Sequence, residues 1–240
     1  WGIVHAFAEW VLPVPWVWMG FSVLCSLTAV WVVGRLGGWL PALVLATAPV
    51  HLLDAAEVNN YPMSTLAVAW LLYAARGPAI GLALAAVFAA WCHLLTGVAA
   101  AGVVLWRAFS MRPADRRMMM TVVIVGVMPV VGGAIRLMGQ GSTWRQPDVP
   151  FLEWGSLVFK TIGVEGLCMA PLVVIGLMGS ARIVWCSIVV ALVLAVSMDA
   201  AAAHQRPYLS LVAPAAAIAV GTAVQRRTWL IPAVALLCLI

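Results

Sequence analysis

The chain has 240 residues, 65% of them hydrophobic and 9% charged, against roughly 45–50% and about 25% in an ordinary soluble domain. That balance excludes secreted disulfide scaffolds and disordered tails. It also excludes a nucleic-acid-binding domain, because the basic residues behind the net charge of +5 are scattered among separate turns and form no stripe.

Apolar runs read against Gly, Pro and charge predict the following order. Residues 1–12 form a short amphipathic lead-in with His5 and Glu9. Spans are predicted at about 14–33, 39–53, 62–75, 78–92, 96–109, 118–138, 162–179, 181–198, 208–224 and 228–240. At roughly 20 apolar residues per crossing, the expected fold is an all-α polytopic transmembrane helical bundle of about 8–10 spans. It is expected to be a single transmembrane domain over residues 1–240, starting after a first span and first exoplasmic loop and stopping inside its last span. The longest connection, 139–160, holds Trp144 and Trp154, which suit a membrane–water interface. The five cysteines (Cys25, Cys92, Cys168, Cys186, Cys238) lie in apolar runs without a CxxC pair and read as packing residues.

The turns alternate in chemistry. One set carries Arg35, Arg76, Arg107, Arg112, Arg116, Arg117, Arg182, Arg226 and Arg227 with the single acid Asp115. The other carries Glu9, Asp54, Glu57, Asp148, Glu153, Glu165 and Asp199, the cations Arg136, Arg145, Lys160 and Arg206, and all four histidines. Basic turns stay on the cytoplasmic side, so the acidic, histidine-bearing set is expected to face the exoplasm. Polar groups near bilayer depth tend to mark a site or a pathway, which directs attention to that face.

Its densest stretch runs from His51 through Asp54, Glu57, Asn59, Asn60 and Tyr61 to Pro62. On a helix His51, Asp54 and Glu57 follow one another at i,i+3. Two carboxylates one turn apart can share a proton, bind a cation or act as a base, or simply belong to a polar turn with a helix cap. His93 stands where one span ends, able either to bond a polar substrate or to cap the carbonyls of the helix before it. Arg206, beside Pro207 and Tyr208, is placed to hold a lipid phosphate through its guanidinium fork or to serve as an interfacial anchor. Lys160 is a weaker candidate for the same role. No P-loop, GxSxG, HExxH or dinucleotide fingerprint occurs.

The order of these features resembles the GT-C membrane glycosyltransferases, the superfamily of protein mannosyltransferases and aminoarabinose transferases. The resemblance rests on the segment from Val14 to Gly20 leading to Gly34-Arg35-Leu36-Gly37, and on Ala48-Pro49-Val50-His51 followed by Glu57 to Tyr61. It also rests on His93 before Thr96-Gly97, on Arg206-Pro207-Tyr208-Leu209 with Pro214, and on His5 in the lead-in. Asn59 stands where the family usually has Arg, and Pro207 separates Arg206 from Tyr208. The resemblance implies transfer of a sugar from a polyprenyl-phosphate-linked donor to an exoplasmic acceptor, with inversion, in a bacterial cytoplasmic membrane. It assigns catalytic roles to Glu57 and Asp54, with the family's first-loop carboxylate upstream of residue 1. His5, His51, Tyr61, His93 and His204 would bind substrate, and Arg206 with Lys160 the lipid phosphate. No cofactor is implied, and no metal site beyond an optional divalent cation. Partners would be membrane lipids, donor and acceptor, with no nucleic acid. A lipid or solute transporter or flippase, and a non-catalytic membrane subunit, are the alternatives.

Overall fold

A computed structural model describes residues 15–56, 60–139, 209–226 and 228–230. Among these residues the structure is all helix, turn and bend, with no strand. The helices are α1 (Pro15–Gly37), α2 (Trp39–Thr47), α3 (Pro49–Ala56), α4 (Tyr61–Ala74), α5 (Ala79–Cys92), α6 (Leu94–Ala108), α7 (Pro113–Gly139) and α8 (Leu209–Arg226), followed by a 3-10 turn at Thr228–Leu230. Two stretches, Trp16–Gly37 and Pro113–Gly133, are long and apolar enough to cross a membrane, while Ala79–Cys92 and Leu95–Ala108 are apolar but shorter. The spans expected at 162–179 and 181–198 lie outside the described residues.

Three boundaries differ from the sequence expectation, one of them the start of α7, at Pro113 rather than near 118. The first helix continues through Gly34 and Arg35 to Gly37 and stops only at Gly38, whose φ of 92° is open to glycine and strained for other residues. The expected span at 39–53 is two helices. Ala48 is extended (φ −63°, ψ 121°) because a following proline disfavours the helical region for the residue before it, and Pro49 then opens α3. Elsewhere proline does what its position allows. Pro113 and Pro62 stand in first turns, where a missing N–H costs little, whereas Pro129 and Pro214 sit inside helices.

Two apolar clusters share α4. One joins α1, α2, α4 and α8 through Val33, Val44, Leu45, Val68 and Val220. The other joins α4 to α5, α6 and α7 through Leu71, Leu82, Val103 and Met119, with alanines at most other positions. Small residues bring backbones close. A Cβ on Gly221 would lie 2.3 Å from Pro41 Cγ and 2.6 Å from its main-chain nitrogen. One on Gly126 would lie 2.5 Å from Val87 Cγ2.

Contacts between helix ends define two poles. At the first, the Arg76 guanidinium donates to the Leu36 carbonyl (3.2 Å) and the Gln225 amide to the Gly37 carbonyl (2.9 Å). The C-terminal ends of α1, α4 and α8 therefore lie together. At the second, Asn60 before α4 donates to the Cys92 carbonyl that ends α5 (3.4 Å). The antiparallel turn at His93 then returns α6 toward the first pole. Large apolar side chains on the outer faces remain uncovered, among them Leu24, Leu27, Val125, Met128 and Ile135.

Candidate functional site

The second pole holds a cluster of polar side chains buried in an otherwise apolar bundle. Ser22, Ser26, His51, Asp54, Ser64, Thr65 and Thr96 are all at most 5% exposed. Burying such groups is unfavourable unless each finds a partner, so their partners define what this pole is for.

On α3, His51 and Asp54 are one turn apart and both buried. His51 hydrogen-bonds the main chain of Ser26 on α1. Its Nδ1 and the Ser26 Oγ are both buried without a hydrogen-bond partner. Two orphaned polar atoms on facing helices, in one buried cluster with a carboxyl, leave hydrogen-bonding capacity of the kind a ligand hydroxyl satisfies. Ser22, Cys25 and Ser26 share one face of α1 at i, i+3 and i+4. Cys25 on that face and Cys92 at the end of α5 are both buried free thiols.

At that corner the Tyr61 and His93 rings lie 6.1 Å apart between centroids, tilted by 35°. His93 is extended (φ −161°, ψ 146°) and forms the only residue between α5 and α6. Its Nδ1 accepts the Leu95 N–H (3.2 Å), so the ring is a neutral imidazole capping the helix that follows. The sequence allowed His93 to cap the carbonyls of the helix before it. The structure reverses that, because the chain turns at His93 itself and leaves the first N–H groups of α6 facing back onto the ring. Burial pushes the His93 imidazole down from the ordinary histidine value, which keeps it in the form that can accept. The Thr96 hydroxyl bonds the Ala89 and His93 carbonyls, and a Cβ on Gly97 would lie 3.1 Å from Ala90 Cα. The turn is pinned on both sides.

Of the residues singled out in sequence, the structure therefore brings His51, Asp54, Tyr61 and His93 to one pole. Glu57, His5, His204, Arg206 and Lys160 lie outside the described residues. Among the described residues no three His, Cys, Asp or Glu side chains come together as a metal-binding group. Sequence reasoning missed Ser22 and Ser26. The signal was the recurrence of small and polar residues at 22, 25, 26 and 29 along one stripe of α1.

The first pole contrasts in every respect. Arg35 and Arg76 are exposed, as are Arg112, Arg116 and Arg117 at the start of α7. Trp31, Trp39, Tyr73, Trp106, Phe109 and Trp229 stand beside these turns and are also exposed. The Arg35 guanidinium lies 6.0 Å from the Trp31 ring centroid. Comparison with protein-family models, with curated proteins and with solved structures finds no match to this chain.

Proposed function

We propose that the chain is a polytopic membrane glycosyltransferase of the GT-C kind, with the first pole at the cytoplasmic surface of a bacterial membrane and the second at the exoplasmic surface. The membrane part of this reading is supported by the uncovered apolar outer faces and by the girdle of tryptophans and arginines at one pole. A water-facing protein rarely exposes so continuous an apolar surface. The observation that carries the site is the buried polar cluster at His51, Ser26 and Asp54, in which one ring nitrogen and one hydroxyl have no hydrogen-bond partner. The polyprenyl-phosphate donor and the transfer reaction come from the sequence resemblance.

In this reading a carboxylate, Asp54 or its neighbour Glu57, receives the proton of the acceptor hydroxyl. The freed oxygen attacks the anomeric carbon from the face opposite the lipid. The bond from that carbon to the phosphate oxygen breaks, and the polyprenyl phosphate leaves with the electron pair, so the configuration inverts. His51, Tyr61, His93, His5 and His204 orient the sugar and acceptor. Arg206, helped by Lys160, stabilises the charge that grows on the departing phosphate.

The test uses the full chain in lipid vesicles with polyprenyl-phosphate mannose and polyprenyl-phosphate aminoarabinose as donors. Glu57→Gln and Arg206→Ala are each expected to lower transfer by about tenfold or more, equivalent to ~1.4 kcal/mol of barrier, with insertion intact. Unchanged transfer in both removes the site assignment. Cysteine labels at Arg116 and Asp148 are expected to react from opposite sides of the membrane, and same-side labelling removes the topology.

One observation favours a second reading. The break at Ala48–Pro49 makes α2 and α3 a discontinuous pair with ionisable residues just beyond the break, as in transporter sites. Substrate counterflow in the same vesicles, in the absence of sugar transfer, would establish that reading instead.

A further inference from the structure

A groove of about 360 Å³ lies open on the outer surface between α1, α4 and α5, lined by Thr28, Trp31, Leu66, Trp70, Tyr73 and Phe88 among others. It runs from mid-bundle, at Leu66 and Phe88, toward the arginine-bearing pole, at Trp31 and Tyr73, and shares no lining residue with the His51–Asp54 cluster. Its lining is apolar or aromatic apart from the Thr28 and Tyr73 hydroxyls and the Trp N–H groups, and the Thr28 hydroxyl is already bonded to the Leu24 carbonyl at 2.7 Å. At ~30 Å³ for a group the size of a water molecule, the groove accommodates roughly a dozen methylenes, as an extended chain rather than a compact solute.

Two cations follow the groove's lining at the arginine-pole end. Trp31 lies one turn before Arg35 on α1, and Tyr73 three residues before Arg76 at the end of α4. The Arg76 guanidinium bonds the Leu36 carbonyl, which brings it beside Arg35. Each guanidinium has donors to spare, since Arg76 uses only one in that bond and Arg35 leans on the Trp31 face. Among the described residues, the only carboxylate in the turns of this pole is Asp115, at the start of α7. Two guanidinium forks near the end of an apolar trough match a single phosphate at the end of a hydrocarbon chain.

We propose that this groove binds an anionic phospholipid of the surrounding bilayer, one acyl chain lying along Trp31, Leu66 and Trp70 and the phosphate held between Arg35 and Arg76. The site rests on the membrane-spanning reading but not on glycosyl transfer. Basic pockets between membrane helices on the cytoplasmic side select anionic headgroups in this way.

The test measures quenching of tryptophan fluorescence by acyl-brominated lipid in vesicles holding the full chain. Brominated phosphatidylglycerol is expected to bind at least about fivefold more strongly than brominated phosphatidylcholine. Arg35→Gln with Arg76→Gln, both on exposed side chains, is expected to bring that ratio to about one without change in helicity. Thr28→Phe, which fills the trough and spares the arginines, is expected to lower quenching by both lipids. Equal binding of the two lipids by the unaltered protein, or a ratio that survives loss of both arginines, overturns the proposal. A ratio and quenching unaffected by Thr28→Phe overturns the acyl-chain groove. Release of the protein from vesicles by alkaline carbonate overturns the membrane reading together with this site, whereas retention without lipid preference overturns this site alone.

Discussion

The two poles of the bundle spend polar residues in opposite ways. At the arginine pole the cations Arg35 and Arg76 are exposed, and Arg76 and Gln225 cover carbonyls that helix α1 leaves open at its end. At the histidine pole the polar groups are buried, and two of them, His51 Nδ1 and Ser26 Oγ, lack partners. Exposed charge of the first kind orients a helix bundle at little energetic cost. Buried polarity of the second kind works against folding, so its presence points to chemistry or binding at the pole where it collects.

The comparison can be broken or sharpened by substitution. The largest effect is expected at Gly221, where α8 meets α2 near the arginine pole. A Cβ there would overlap Pro41, main chain included, so Gly221→Ala is expected to destabilise by about 2–3 kcal/mol, read as a lowered midpoint of thermal unfolding in detergent. An unchanged midpoint would mean that the two helices do not approach so closely. At the other pole, His51→Leu keeps the side-chain bulk, removing an orphaned nitrogen together with one hydrogen bond to the Ser26 main chain. The two effects largely offset, so stability is expected to change by less than about 1 kcal/mol while function is abolished. A clear loss of stability would instead make His51 a structural residue.

A smaller effect is expected at His93. Replacing it with Ala removes the cap on α6 and should cost about 1 kcal/mol, while Asn, a strong capping residue, should restore most of it. The same residue gives a pH dependence. Its folded-state value is lowered, so between that value and the ordinary histidine value near 6.5 the unfolded chain binds the extra proton. Stability is then complete above about pH 6.5 and declines as pH falls below it. His93→Asn should flatten that decline. The smallest change belongs to Arg76→Gln, whose single exposed hydrogen bond should contribute no more than ~0.5 kcal/mol, read as an almost unchanged unfolding midpoint.

Much of the helical order was legible because long apolar runs between Pro, Gly and Arg leave few other readings. The starts of α4 and α5 follow from Pro62 and Pro78, whereas α7 begins at Pro113, five residues ahead of the expected span, because the charged turn 115–117 is itself helical. The split between α2 and α3 was not legible from hydropathy, since Ala48-Pro49-Val50 is apolar throughout and only the backbone restriction before proline reveals it. At the site, His51, Asp54 and His93 announce themselves as ionisable residues in an apolar chain. Ser22 and Ser26 do not, because a serine in such a helix ordinarily turns to the carbonyl one turn back. Only the packing of α1 against α3 shows Ser26 with its main chain against an imidazole. The direction of the His93 cap was equally hidden, for it depends on the chain reversing within a single residue.

The single extended residue between α2 and α3 has a mechanical consequence. His51 and Asp54 ride on an eight-residue segment set off from α2 by Ala48. The one pair of backbone angles at Ala48 therefore aims both side chains together, like two teeth cut on one short key.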